Sequence, residues 1–123
     1  MYQISTEEFQ KILDSYVHEI VSKEKKLNNV AVVLENFPSL EKRRELKLAQ
    51  NQTLLGLYEG IPMSSRQGQS KLLPDKITIY QQPIENLSNN LDDIKKQIRH
   101  TLWHEIAHHF GLNHDDIKKR DIK

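Results

Sequence analysis

His104-Glu105-Ile106-Ala107-His108-His109-Phe110-Gly111-Leu112-Asn113-His114 is the stretch that decides how the rest of this chain is read. His104, Glu105 and His108 form H-E-x-x-H, and Gly111 and His114 extend it to H-E-x-x-H-x-x-G-x-x-H. Residues four apart on a helix lie on nearly the same face, one turn above each other. Two imidazoles so placed can hold one Zn2+ at about 2.0–2.1 Å per bond. Glu105, beside the first of them, can reach a water on that ion as general base. Gly111 can take positive φ, so the helix can stop there and the chain can turn His114 back as a third ligand. Three protein ligands leave a fourth position for water, the pattern of a catalytic rather than a closed structural site. With 6 His in 123 residues, H-E-x-x-H alone arises by chance in about two chains in a hundred of this composition. Gly and His at fixed offsets lower that chance by about another factor of several hundred.

Upstream of the motif, Leu91, Ile94, Ile98, Leu102 and Ile106, with Trp103 beside them, recur at helical spacing and predict a long helix over 91–110. Ser88 to Asp93 supplies cap candidates, and Asp92 and Asp93 favour a helix start. The motif therefore sits on a helix whose neighbouring face is buried. At the other end, Ser5 and Glu8 make a capping box before Phe9, Ile12, Leu13, Tyr16, Val17, Ile20 and Val21, predicting an amphipathic helix over 6–26. Val30 to Leu34 reads as a buried strand, Leu54 to Gly60 as a second and Lys76 to Gln81 as a third, closed by Gln82-Pro83. Leu73-Pro74-Asp75 reads as a turn, and Ser64 to Ser70 as a polar loop. The charged stretch Ser39 to Gln50 fits either a surface helix or an irregular excursion. Strands with helices packed on one face make an α+β layer architecture. The expected sheet is small, three to four strands, packed against the long C-terminal helix and the N-terminal one.

The chain's 123 residues suit one domain, 1–123, with a single core. Hydrophobic content of 37% and charged content of 28% fit a soluble globular protein. A net charge of +1 provides no global field toward nucleic acid or anionic membrane, so neither partner is expected. Without cysteine there is no thiolate nucleophile, and any metal must sit on nitrogen and oxygen ligands. The N-terminus lacks a basic stretch followed by an apolar run, and no apolar run reaches about 18 residues. A cytoplasmic location is the default expectation.

From Val30 to Asp116 the sequence resembles the small bacterial zincin-like metallopeptidase family. The matching segments are Leu55-Gly56-Leu57-Tyr58-Glu59-Gly60-Ile61-Pro62, Leu73-Pro74-Asp75-Lys76-Ile77-Thr78-Ile79-Tyr80, and His104 to Gly111. The resemblance implies a minimal zincin fold with the sheet packed on the metal helix. It also implies His104 and His108 as ligands and Glu105 as catalytic acid/base. In that family the position of His114 is usually acidic. Here it is His, as in metzincins, and either type can ligate zinc. Metzincins place a methionine turn after the metal helix, whereas Met1 and Met63 both lie upstream of it here. With nine residues after His114, no C-terminal subdomain is expected to wall the cleft.

Other polar residues have plainer readings beside the functional ones. His100, one turn before His104, is read as a neighbour of the site, His109 as a structural histidine and His18 as partly exposed. Tyr58, Glu59 and Arg66 are expected in a loop near the sheet end. A Tyr or Arg there could stabilise an oxyanion, but a packed Tyr and a solvated Arg are the readier reading. Asp115 and Asp116 could replace His114 as third ligand or orient a ligand imidazole. More plainly, they charge the N-terminus of a short last helix.

Three functions follow. The first is a zinc hydrolase of peptide or protein substrates, in which an edge strand, Ile77 to Gln81 being the candidate, pairs with an extended substrate. The second is a metal-dependent endoribonuclease. The spacing H-x-x-x-H-x-x-G-x-x-H also resembles a bacterial ribosomal-RNA maturation nuclease family, which has a small residue where Glu105 stands. The third is a non-catalytic metal-binding or interaction module. Zn2+ is the expected ion, although such ligands accept other divalent metals.

Overall fold

A computed structural model describes residues 1–23, 30–50, 52–60 and 75–110, with the backbone alone at 109 and 110. The order is α1 (Thr6–Lys23), β1 (Val30–Glu35), α2 (Leu40–Glu45), β2 (Gly56–Glu59), β3 (Asp75–Tyr80), α3 (Gln81–Asn86) and α4 (Leu91–Phe110). This is the α+β arrangement with a small sheet and a long C-terminal helix that the sequence predicts.

α1 starts where Ser5 Oγ accepts the backbone N–H of Glu8 at 3.1 Å, half of the expected capping box. It buries Phe9, Leu13 and Ile20 against the core. The charged stretch after β1 resolves into the short α2. Ser39 caps it by accepting Lys42 N at 3.0 Å, and Lys47 leaves it at φ 56°. No residue of α2 is buried, so local capping rather than core packing holds this helix.

The three strands lie in the order β1-β3-β2, with β1 parallel and β2 antiparallel to β3. This corrects the expectation that Ile77 to Gln81 forms a sheet edge. Ile77, Thr78, Ile79 and Tyr80 are all buried, a continuous run that demands cover on both faces and marks a central strand. The edge that borders α4 is instead β2. The chain also does not simply close after β3. It runs straight into α3, where Pro83 sits in the first turn and its missing N–H costs no helical bond.

α4 packs on β2 and β3, while α1 and α3 pack on α4. The core joins Phe9, Leu13 and Ile20 of α1, Ile77 and Ile79 of β3, Ile84 of α3, and Ile94, Ile98, Leu102 and Ile106 of α4. Each such side chain contributes about 1.5–3 kcal/mol by leaving water. Trp103 packs at the margin of this cluster. The N-terminal segment is strapped to α3. Ile4 N donates to the Glu85 carboxylate at 2.9 Å, and Gln81 Nε2 donates to the same oxygen at 3.1 Å.

Side-chain alternation assigns the faces of β2. Gly56 and Tyr58 turn toward α4. Leu57 and Glu59 point the other way, and there Lys42 Nζ meets Glu59 Oε2 at 2.7 Å. No helix among the described residues is long and apolar enough to cross a membrane. The expected loop at Ser64 to Ser70, Arg66 and the short helix after Asp115 lie outside the described residues.

Candidate active site

The site is built on α4, and its phase is set at the helix start. Asn90 Oδ1 accepts the backbone N–H of Asp93 at 2.8 Å, while the Asp93 carboxylate accepts that of Asn89 at 2.9 Å. Asp92 and Asp93 also place negative charge in the first turn, where the helix dipole favours it. Ile94, Ile98, Leu102 and Ile106 then bury one stripe. Thr101 and Glu105, one turn apart, face β2 at the side of that stripe. His104 and His108 follow on the same side.

β2 can approach this face because Gly56 carries no side chain. A Cβ there would lie 2.7 Å from Thr101 Cγ2 and 3.3 Å from Glu105 Cγ. The close approach buries Glu105, which is 8% exposed although it carries a carboxylate. Burial pushes its pKa above the usual Glu range. The neighbouring His108 and the backbone N–H of Tyr58, which donates to the carboxylate, pull the other way without cancelling that effect.

The ladder shows why that N–H is directed there. Tyr80 N donates to Leu55 O across the β2–β3 pair at 3.0 Å. Hydrogen-bonded positions alternate along an antiparallel pair, so the backbone groups of Leu57 face β3 and those of Gly56 and Tyr58 face outward. Tyr58 thus offers its N–H on the outer edge of the sheet, beside α4.

The two imidazoles of the motif stand together. Their ring centroids are 4.9 Å apart, with planes inclined at 54°. Two imidazoles sharing one tetrahedral Zn2+ at the usual bond length put their centroids about 5 Å apart, so this pair fits a common ion. His108 Nδ1 lies 3.7 Å from Glu105 Oε1, beyond hydrogen-bond reach but close enough for attraction when the imidazole is protonated. His108 also meets the Tyr58 ring at nearly right angles, centroids 6.4 Å apart.

The structure therefore brings together His104, Glu105 and His108. Gly111, His114, Asp115 and Asp116 lie outside the described residues. Among the described residues no group of three or more His, Cys, Asp or Glu is placed to hold a metal. His100 and His18 are both exposed. Tyr58 and Glu59 are strand residues rather than loop residues. Tyr58 is packed, and its hydroxyl donates to Asp75 Oδ2 at 2.8 Å.

Gly56, Thr101 and Asp75 were not singled out by sequence. Gly56 carried a usable signal, because an isolated glycine inside a strand pattern marks close backbone approach. Thr101 is legible only once Glu105 is known to face the sheet, since the two are one turn apart. Asp75 looked like a turn residue after Pro74.

A family model described as zincin-like metallopeptidase matches residues 27–123. No curated protein matches the chain. The family match spans β1 to the end of the chain and includes every residue of the site, and on that ground the chain belongs to the zincin-like metallopeptidase family.

Proposed function

We propose that this chain hydrolyses peptide bonds at a zinc centre, with His104, His108 and His114 as ligands and Glu105 as general base. The observation that carries this reading is the pair of imidazoles 4.9 Å apart with a buried carboxylate between them in sequence. A Zn2+ bound by these ligands supplies Lewis acidity, lowering the pKa of a water toward about 7 and polarising a carbonyl.

The chain's own groups do the rest. Burial weakens the acidity of Glu105, which makes it a better proton acceptor near neutral pH than an exposed Glu. Its carboxylate takes the proton of the attacking water and returns it to the leaving amine. The Tyr58 N–H holds the carboxylate at the strand edge, where the proton must be collected. β2 is an edge strand among the described residues and borders the site. Its outward backbone groups are suited to aligning an extended peptide by strand addition. Glu105 also separates this reading from the nuclease one, which places a small residue after the first His.

Elemental analysis of the purified chain tests the ligand set. The expected result is one zinc per chain, lost in His104→Ala and His108→Ala and weakened in His114→Ala. A chain that takes up no zinc, even after incubation with it, contradicts the proposal.

A further inference from the structure

Tyr58 meets the candidate site through two groups and is anchored by a third. Its ring stands nearly perpendicular to the His108 imidazole at 6.4 Å, with an interplanar angle of 86°, within the range where ring edges and faces attract. Its backbone N–H serves Glu105. Its hydroxyl donates to Asp75 Oδ2 at 2.8 Å.

Asp75 is only 5% exposed, an unusual place for a carboxylate at the start of a strand. Tyr58 opposes Ile77 across the ladder, so Asp75 is its diagonal neighbour on the face turned to α4. Gly60 completes the seat. A Cβ at Gly60 would lie 2.7 Å from the Tyr58 hydroxyl oxygen. The ring is thus held at both ends, by the β2 backbone and by a buried carboxylate.

We infer that Tyr58 is a positioning residue, anchored by Asp75, that sets the orientation of the His108 ring for metal binding. This rests on the proposed ligand role of His108. The His108 side chain is 48% exposed, so its helix leaves it rotamer freedom that must be given up when it ligates an ion. A fixed neighbouring ring restricts that freedom before the ion arrives. Losing such an outer contact weakens metal binding by about 10–100-fold. Tyr58→Phe and Asp75→Asn break the same link, so their effects should not multiply.

The test is the zinc Kd of the intact chain, by competition with a chromophoric chelator, for wild type, Tyr58→Phe, Asp75→Asn and the double variant. The His108 imidazole resonances and the urea midpoint of each metal-free protein are recorded beside it. The expected result is a Kd raised about tenfold in each single variant and no further in the double. The His108 resonances should shift, and Tyr58→Phe should stay folded with a modestly lowered urea midpoint, because Asp75 loses a donor. Tyr58→Phe that folds and binds zinc within about twofold of wild type overturns the positioning role alone. Effects that multiply in the double variant overturn the anchoring by Asp75. A wild-type chain that binds no zinc overturns the His108 ligand reading and this inference together.

Discussion

Gly56 of β2 and Glu105 of α4 approach so closely that a Cβ on Gly56 would lie 3.3 Å from Glu105 Cγ, and 2.7 Å from Thr101 Cγ2 on the turn before. The bare backbone at this one position lets the edge strand lie on the helix and bury the carboxylate. It also brings the Tyr58 N–H within reach of that carboxylate. Strand edge and motif helix are thereby fixed to each other at the site.

Gly56→Ala should therefore damage stability and site together. The added methyl must displace Thr101 or push β2 away from α4, and overpacking of this kind costs about 1–3 kcal/mol. The urea midpoint should fall. The Tyr58 backbone amide should exchange faster with solvent deuterium as it loses Glu105. An unchanged midpoint with unchanged protection at Tyr58 would show that β2 and α4 are not in contact here.

Glu105 makes the metal-free protein sensitive to pH in a defined direction. Its folded pKa is raised above the ordinary Glu value, chiefly by burial, so the folded state binds this proton more readily than the unfolded chain does. The group's contribution to stability is greatest below the unfolded value and falls as pH rises through the raised folded value. Glu105→Gln removes that loss. In the presence of a chelator, the variant should be more stable than wild type at pH 7, with the gap closing as pH falls toward the ordinary Glu range. Urea unfolding at several pH values measures this. A variant less stable than wild type at pH 7 would mean the carboxylate is stabilised rather than penalised in place.

Glu85 anchors the N-terminal segment from a buried position, taking hydrogen bonds from Ile4 N at 2.9 Å and Gln81 Nε2 at 3.1 Å. Gln81 Nε2 also donates to Ile4 O at 3.2 Å, and Thr6 Oγ1 donates to Gln81 Oε1 at 3.1 Å. Glu85→Ala takes the acceptor from the Ile4 N–H and from one of two Gln81 Nε2 bonds, and should cost about 1–3 kcal/mol. Residues 1–5 should become sensitive to protease while zinc binding persists. A variant with wild-type stability would show that the Glu85 carboxylate contributes nothing to the strap.

Much of this was legible in the sequence because local signals agreed with tertiary packing. The span of α4 follows from its cap residues at Asn90 and Asp93 and from a stripe of Leu and Ile at helical spacing. The motif pair then follows from position alone, since residues four apart must share a face. The central place of β3 was hidden, because a run buried on both faces does not reveal which strands flank it. α3 was hidden by Pro83, which reads as a stop although a first helical turn tolerates it. The link from Tyr58 to Asp75 spans a β-ladder, and no local pattern encodes such a diagonal.

The central claim is that Glu105 moves the proton in a zinc-dependent hydrolysis, and turnover of Glu105→Gln tests it most directly. Zinc-loaded wild type and variant would be incubated with a broad peptide library and new termini counted over time. The account predicts cleavage by wild type and a rate at least about 100-fold lower in Glu105→Gln, with zinc content unchanged. Equal turnover by the zinc-loaded variant would contradict it.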